Sequence, residues 1–301
     1  MRQNAITESP EHKMELNDLL IAKGIAPKEV LVLRHRPTEP KWRRVLPWLA
    51  AEKPDTYNAY QQTQGPYAEK AMMRAKYVAS FFGHQSGKAM FVGLYEVGNW
   101  RPLTYDEFWQ IPAHVEGKEY GMQGFTGDRP SVLWFDLELT DVYAEWKGKL
   151  IVHWPGQERG WYRWAYRNQI PINAILEDSL LDADMPPWNE LALTWDELKV
   201  LPSKWRADLS QWRGIYSIFD TSDRRSYVGS AYGSDNLLGR WLNYAATGHG
   251  GNKQLRERNP STFRFSILQR VSPDMEADDV IRLESTWKDR LHTREFGLNE
   301  N

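Results

Sequence analysis

The sequence predicts an α+β protein in two parts, a mixed α/β region followed by a small three-stranded antiparallel sheet flanked by helices. Three observations predict it. At 301 residues the chain exceeds the usual size of a single domain. The acidic stretch "LEDSLLDADMPPWNE" breaks any regular element, because Pro186-Pro187 offers no backbone donors and fixes φ. Beyond it, strand and helix patterns follow in the order β-β-α-β-α, which suits a small sheet with helices packed on it. The expected parts are residues 1–185, a linker with a short helix at 186–211, and residues 212–301.

Residues 1–12 read as a frayed tail. "ELNDLLIAKG" has helical spacing at Leu16, Leu19 and Leu20 and a glycine stop, and "KEVLVLRHRP" is a short apolar strand closed by proline. From Tyr57 to Phe82 the pattern is largely helical, with a break near Gly65-Pro66. "KAMFVGLYEVGNW" is the clearest strand of the first part, and its central Gly93 signals a bulge or a close backbone approach. "SVLWFDLEL", "GKLIVHW" and "GWYRWAYRN" continue as strands, placing a sheet between residues 88 and 168. In the linker, Thr194 and Glu197 match a capping box that opens "TWDELKVLP", and Pro202 ends the run. "GIYSIFD" and "SYVGSA" then form a hairpin around "TSDRR". "SDNLLGRWLNYAATG" is a helix capped by Ser234 and stopped at Gly248, "TFRFSILQRV" alternates as a strand, and "EADDVIRLESTWKDRLHT" is a longer helix.

Composition narrows the function. Hydrophobic residues at 41% and charged residues at 26% fit a folded chain. No apolar run approaches the ~18 residues of a membrane span, and "MRQNAITESPEHK" lacks the apolar core of a signal peptide. A cytoplasmic protein with no membrane partner is expected. With no cysteine, disulfides, thiolate catalysis and cysteine zinc fingers are excluded, and a metal must be held by oxygen or histidine nitrogen. The net charge is −2, yet residues 201–301 carry fifteen Lys/Arg against thirteen Asp/Glu, and 213–258 carry seven against four. That local basic bias suits a phosphate-bearing partner or is plain solvated surface. Of the 15 tryptophans, eleven precede residue 200, where they supply core or a platform for stacking a base.

Helical geometry singles out further residues. Val280, Leu283, Trp287 and Leu291 share one stripe of the last helix, and Glu284 falls inside it. A carboxylate aimed at a sheet needs a partner, either an arginine or a hard divalent cation that keeps most of its waters. On the preceding helix, Leu237, Leu238, Trp241, Leu242 and Ala245 form the buried face, with Arg240 outside it and Tyr244 at its margin. Arg240 and Tyr244, at i and i+4, either face solvent or reach one small ligand. With Tyr216 and Tyr227 on the hairpin, these residues could hydrolyse a phosphodiester. A metal on Glu284 polarises the phosphate, Arg240 offsets developing charge, and a tyrosine with a lowered pKa orients or deprotonates water.

The segment 212–301 resembles the GIY-YIG nuclease superfamily. Gly214-Ile215-Tyr216 matches the first signature, and Tyr227-Val228-Gly229 the second, with valine for isoleucine. Arg240 matches the family's helix arginine, Tyr244 the position that is His or Tyr, Glu284 the metal-binding glutamate, and Asn299 the asparagine that braces the site. The resemblance implies a metal-dependent endonuclease cutting double-stranded DNA with one Mg²⁺ or Mn²⁺ per site. Tyr216 is then the foremost general base, through a hydrogen bond with Tyr227, and Tyr244 the second candidate. One such site cuts one strand, so double-strand cleavage needs a homodimer or two nicks. Arg213, Arg224, Arg225, His249 and Lys253 are expected to touch DNA, the last two from a Gly-rich loop. Residues 1–185 would select the target, modified or not, as in a restriction or phage-defence nuclease. "SGKAMFVGLYEVGNW" and "LIVHWPGQERGWYRWAYRN" are similar to PUA-like barrels, which hold a flipped base in an aromatic pocket. A DNA-repair or mobile-element nuclease, and a non-catalytic DNA-binding protein, are the alternative readings.

Overall fold

The computed structural model describes residues 13–156, 160–181, 184–233 and 236–300, so the tail at 1–12 and the capping residue Ser234 lie outside the described residues. The chain divides into two units, residues 1–182 and 183–301. No helix among the described residues is long and apolar enough to cross a membrane.

The first unit runs α1 (Leu16–Ala22), β1 (Val30–His35), α2 (Pro40–Glu52), α3 (Pro54–Gln61), α4 (Pro66–Met72), β2 (Tyr77–Gly83) and β3 (Lys88–Leu103). It continues with α5 (Tyr105–Gln110), α6 (Pro112–Glu119), β4 (Val132–Leu139), β5 (Leu150–His153), β6 (Tyr162–Trp164) and β7 (Ile172–Ile175). Pro40, Pro54, Pro66 and Pro112 each open a helix, where the missing N–H costs nothing. Among the described residues seven strands form one sheet in the order β6-β1-β2-β3-β5-β7, with β4 also paired to β3. β1 and β2 are parallel, and the sheet therefore begins at Val30, well before residue 88. Tyr77–Phe82, expected to be helical, is strand β2; its apolar residues are buried on both faces, so the alternation that marks a half-buried strand is missing. At Gly93 the expected bulge is present, and the close approach is made by a side chain and not by backbone. The β2–β3 register slips between Ser80 and Phe81, and a Cβ on Gly93 would come within 2.7 Å of Leu139. Among the described residues the end strands β6 and β7 do not pair with each other, so the sheet is open where a PUA-like barrel would be closed. Trp42 and Trp154 are buried here, so part of the tryptophan excess is core.

The second unit runs β8 (Ala192–Thr194), α7 (Trp195–Leu198), α8 (Ser203–Gln211), β9 (Arg213–Asp220), β10 (Arg225–Ala231), α9 (Asn236–Thr247), α10 (Lys253–Arg256), β11 (Phe263–Val271) and α11 (Ala277–Arg290). Its antiparallel sheet has the order β10-β9-β11-β8, four strands where three are expected. The extra strand comes from the presumed linker. β8 pairs with β11, and Leu191, Leu193, Leu198, Leu201 and Leu209 share a core with Tyr216, Trp241 and Phe265. Residues 186–211 thus belong to this unit; a three-residue strand is too short to show a period. The capping box is present, with Thr194 N–H donating to Glu197 at 2.7 Å and Glu197 N–H to Thr194 Oγ at 3.1 Å. One sheet face carries Tyr216, Ile218 and Phe265 against α9, and the other carries Ile215 and Val228 against Val280 of α11.

Candidate active site

Both motif glycines are dictated by contact. Tyr216 on β9 stands opposite Gly229 on β10, and a Cβ on Gly229 would sit 2.5 Å from the Tyr216 hydroxyl. The Tyr216 ring therefore lies across that strand only because residue 229 has no side chain. Gly214 stands opposite Arg270, one step past the bulge of β11 between Ile267 and Gln269, and a Cβ on it would run into the Gln269 carbonyl oxygen. Tyr216 is fully buried, with its hydroxyl 3.2 Å from that of Tyr244. Tyr244, expected at the margin of its helix, is itself in the core, and its ring packs on Gly250, whose φ of +55° a side chain would strain. Tyr227 is half-buried, its ring centroid 6.5 Å from those of both Tyr216 and Tyr244. Arg240, also half-buried, lies beside the Tyr216 hydroxyl with its Cζ 5.9 Å from the Tyr244 ring centroid. Its Nε is buried without a hydrogen-bond partner, and no carboxylate pairs with it among the described residues.

Without an ion at the site, the electrostatics run opposite to a lowered tyrosine pKa. Burial pushes the Tyr216 phenol up to about 12, the neighbouring Tyr227 adds to the rise, and Arg240 only partly offsets it. Burial also raises Tyr244, while the adjacent Tyr216 holds the Arg240 guanidinium above its ordinary range. In the resting site both buried phenols keep their protons.

Glu284 is satisfied in a different way. Its Oε1 lies 2.8 Å from Lys288 Nζ, and Ser230 Oγ donates to its Oε2. The ion pair anticipated for this carboxylate is made by a lysine one turn along and not by an arginine. Leu291, placed on the buried stripe by its spacing, is 42% exposed. Ser230 stands opposite Ile215 and so projects to the α11 face, whereas Gly229 stands opposite Tyr216 on the α9 face. The four-residue group and Glu284 therefore lie on the two sides of β10, one residue apart along the strand. The described residues include no group of three or more His, Asp or Glu side chains able to hold a metal. What Glu284 and Ser230 offer is a small set of hard oxygen donors, which fits a cation that keeps most of its waters.

Asn299 completes β10. Its Oδ1 accepts the Val228 N–H at 2.9 Å and its Nδ2 donates to the Val228 carbonyl at 2.8 Å, a substitute for a neighbouring strand on the edge of the sheet. Leu298 N–H adds a bond to the Ser226 carbonyl.

No protein-family model and no curated protein matches the chain. Two solved structures are similar to part of it. A mutant of the catalytic domain of intron endonuclease I-TevI is 26% identical, with a TM-score of 0.26, over 30% of this chain and 94% of that chain. The catalytic domain of homing endonuclease I-TevI is 27% identical, with a TM-score of 0.26, over 30% of this chain and 98% of that one.

The residues expected to touch DNA are scattered. Arg213 is committed within the unit, its guanidinium donating to the backbone carbonyls of Pro273, Met275 and Tyr232 at the end of the sheet. Arg224 and Arg225 are exposed at the hairpin turn, and Arg225 lies 3.8 Å from Asp223. From Tyr216 to Asp220 at that turn is four residues, about 13 Å along the strand. His249 uses Nδ1 to accept the Gly251 N–H at 2.9 Å, shaping a loop in which Gly248, Gly250 and Gly251 all have positive φ. Lys253 is exposed at the start of α10. Sequence reasoning missed Ser230 and Lys288. Lys288 was legible as an i+4 partner of Glu284; Ser230 required the strand register.

Proposed function

We propose that the second unit is a metal-dependent endonuclease that hydrolyses phosphodiesters in double-stranded DNA, and that the first unit selects the target, as in a restriction or phage-defence nuclease. The observation that carries the proposal is Arg240, a half-buried guanidinium among phenols, with a donor unsatisfied and no carboxylate paired with it among the described residues. An arginine held this way is a receptor for an anion, and a phosphate oxygen on it would be neutralised as charge develops. Tyr216 and Tyr244, both protonated, fix the guanidinium and can donate to the phosphate. Tyr227 is the most exposed of the three phenols, so orienting the attacking water falls to it and not to Tyr216. Glu284, with Ser230, would hold the Mg²⁺ or Mn²⁺ across the edge of β10, and the bound ion would supply charge neutralisation at the phosphate.

Supercoiled plasmid incubated with Mg²⁺, Mn²⁺ or EDTA tests this. Wild type should nick only with metal, and Arg240→Ala should slow nicking at least about a hundredfold. Glu284→Ala cutting as fast as wild type would overturn the reading. For the first unit, the full-length Glu284→Ala protein should bind duplex; no binding to modified or unmodified DNA would remove the targeting role.

A further inference from the structure

We infer that Lys288 is a built-in placeholder cation at Glu284, and that a divalent metal reaches this carboxylate only by displacing it; the inference rests on the reading of Glu284 as the metal ligand. The pair is not an ordinary solvated i,i+4 contact on a helix. The Lys288 and Glu284 side chains are only 13% and 17% exposed, and Ser230 caps the other carboxylate oxygen. A carboxylate this far withdrawn from water is costly without a cation, so the site should hold one at every stage. In the resting protein that cation is the Lys288 ammonium. The other basic residues in and just after α11 are engaged elsewhere, Arg282 with Asp279, Arg290 over the Trp287 ring and Arg294 with Asp289. The lysine also has the means to leave, because its four-carbon stem can swing the ammonium outward while the α11 backbone stays in place. Metal uptake then becomes an exchange of one cation for another, and the intrinsic affinity of Glu284 for metal is reduced by the strength of the pair.

The test is Mn²⁺ binding to the full-length protein without DNA, read from the free-ion electron paramagnetic resonance signal. Lys288→Met should bind Mn²⁺ roughly fivefold to tenfold more tightly than wild type, since a partly desolvated competitor has gone. Glu284→Gln, alone or combined with Lys288→Met, should lose that binding. If Glu284→Gln abolishes binding while Lys288→Met binds no more tightly than wild type, the exchange is wrong and the metal reading survives. Glu284→Gln binding as well as wild type would sink both. Should Lys288→Met fold poorly, a Mg²⁺ titration of wild type followed on the lysine ε-methylene carbon resonances decides the matter. The Lys288 signal should move with metal occupancy, and a signal that stays fixed through saturation overturns the inference.

Discussion

Gly229 shows how one missing side chain can define a site. Its Cα faces the Tyr216 hydroxyl so closely that any Cβ must push the ring off the strand, and with it the contact to Tyr244 and the seat of Arg240. Gly229→Ala should therefore abolish nicking while lowering the unfolding free energy by only about 1–3 kcal/mol, the usual cost of overpacking. Gly233→Ala, four residues on with nothing within 4 Å of its Cβ position, should leave both unchanged. Parallel plasmid assays and urea unfolding on the two variants check this. The same crowding explains why Tyr216 is pushed up to about 12 instead of down, because packing that fixes the ring also removes the water that would stabilise phenolate.

At the scale of elements, the edge strand β10 is the organising piece. The Tyr227, Gly229 side meets α9, the Val228, Ser230 side meets α11, and Asn299 occupies hydrogen-bonding positions an added strand would use. Arg213 does similar work at the end of β9, tying three carbonyls from the loops after β10 and β11. Removing it leaves those acceptors without their charged donor. Arg213→Met should cost about 2 kcal/mol in urea unfolding and leave the duplex affinity of the folded protein unchanged. A fluorescence-anisotropy titration that found weaker binding with unchanged stability would instead return Arg213 to the DNA surface.

At the scale of the molecule, the two units have separate cores and different sensitivities to acid. His35, at the buried end of β1, is held by burial near a pKa of about 4, against a usual 6.5. A depressed value means the neutral form is favoured in the fold, so its contribution is complete above pH 6.5 and is lost as pH falls toward 4, about 3 kcal/mol in all. Asp220 in the second unit is lowered to about 2 from 3.8, so its contribution is intact until the pH falls below about 4. Calorimetry between pH 7.5 and 4.5 should move the transition of the first unit more than that of the second, and His35→Gln should remove part of that movement, the rest belonging to His114, which burial also lowers. Much of this organisation is legible in the sequence. The hairpin, the capping box at Thr194 and the inward aim of Glu284 follow from local spacing, because a period of two or 3.6 residues fixes which side chains share a face, while the two motif glycines are legible only through the family resemblance. The four-stranded sheet, the β1–β2 pairing and the commitment of Arg213 are not, since each depends on a partner distant in the chain. The same holds at the site itself. The sequence by itself determined that Glu284 needs a partner and that Arg240 and Tyr244 share a helix. Only the tertiary structure decided that the partners of Glu284 are Lys288 and Ser230 across β10 from the tyrosines, because strand register and burial, not composition, set which charges meet.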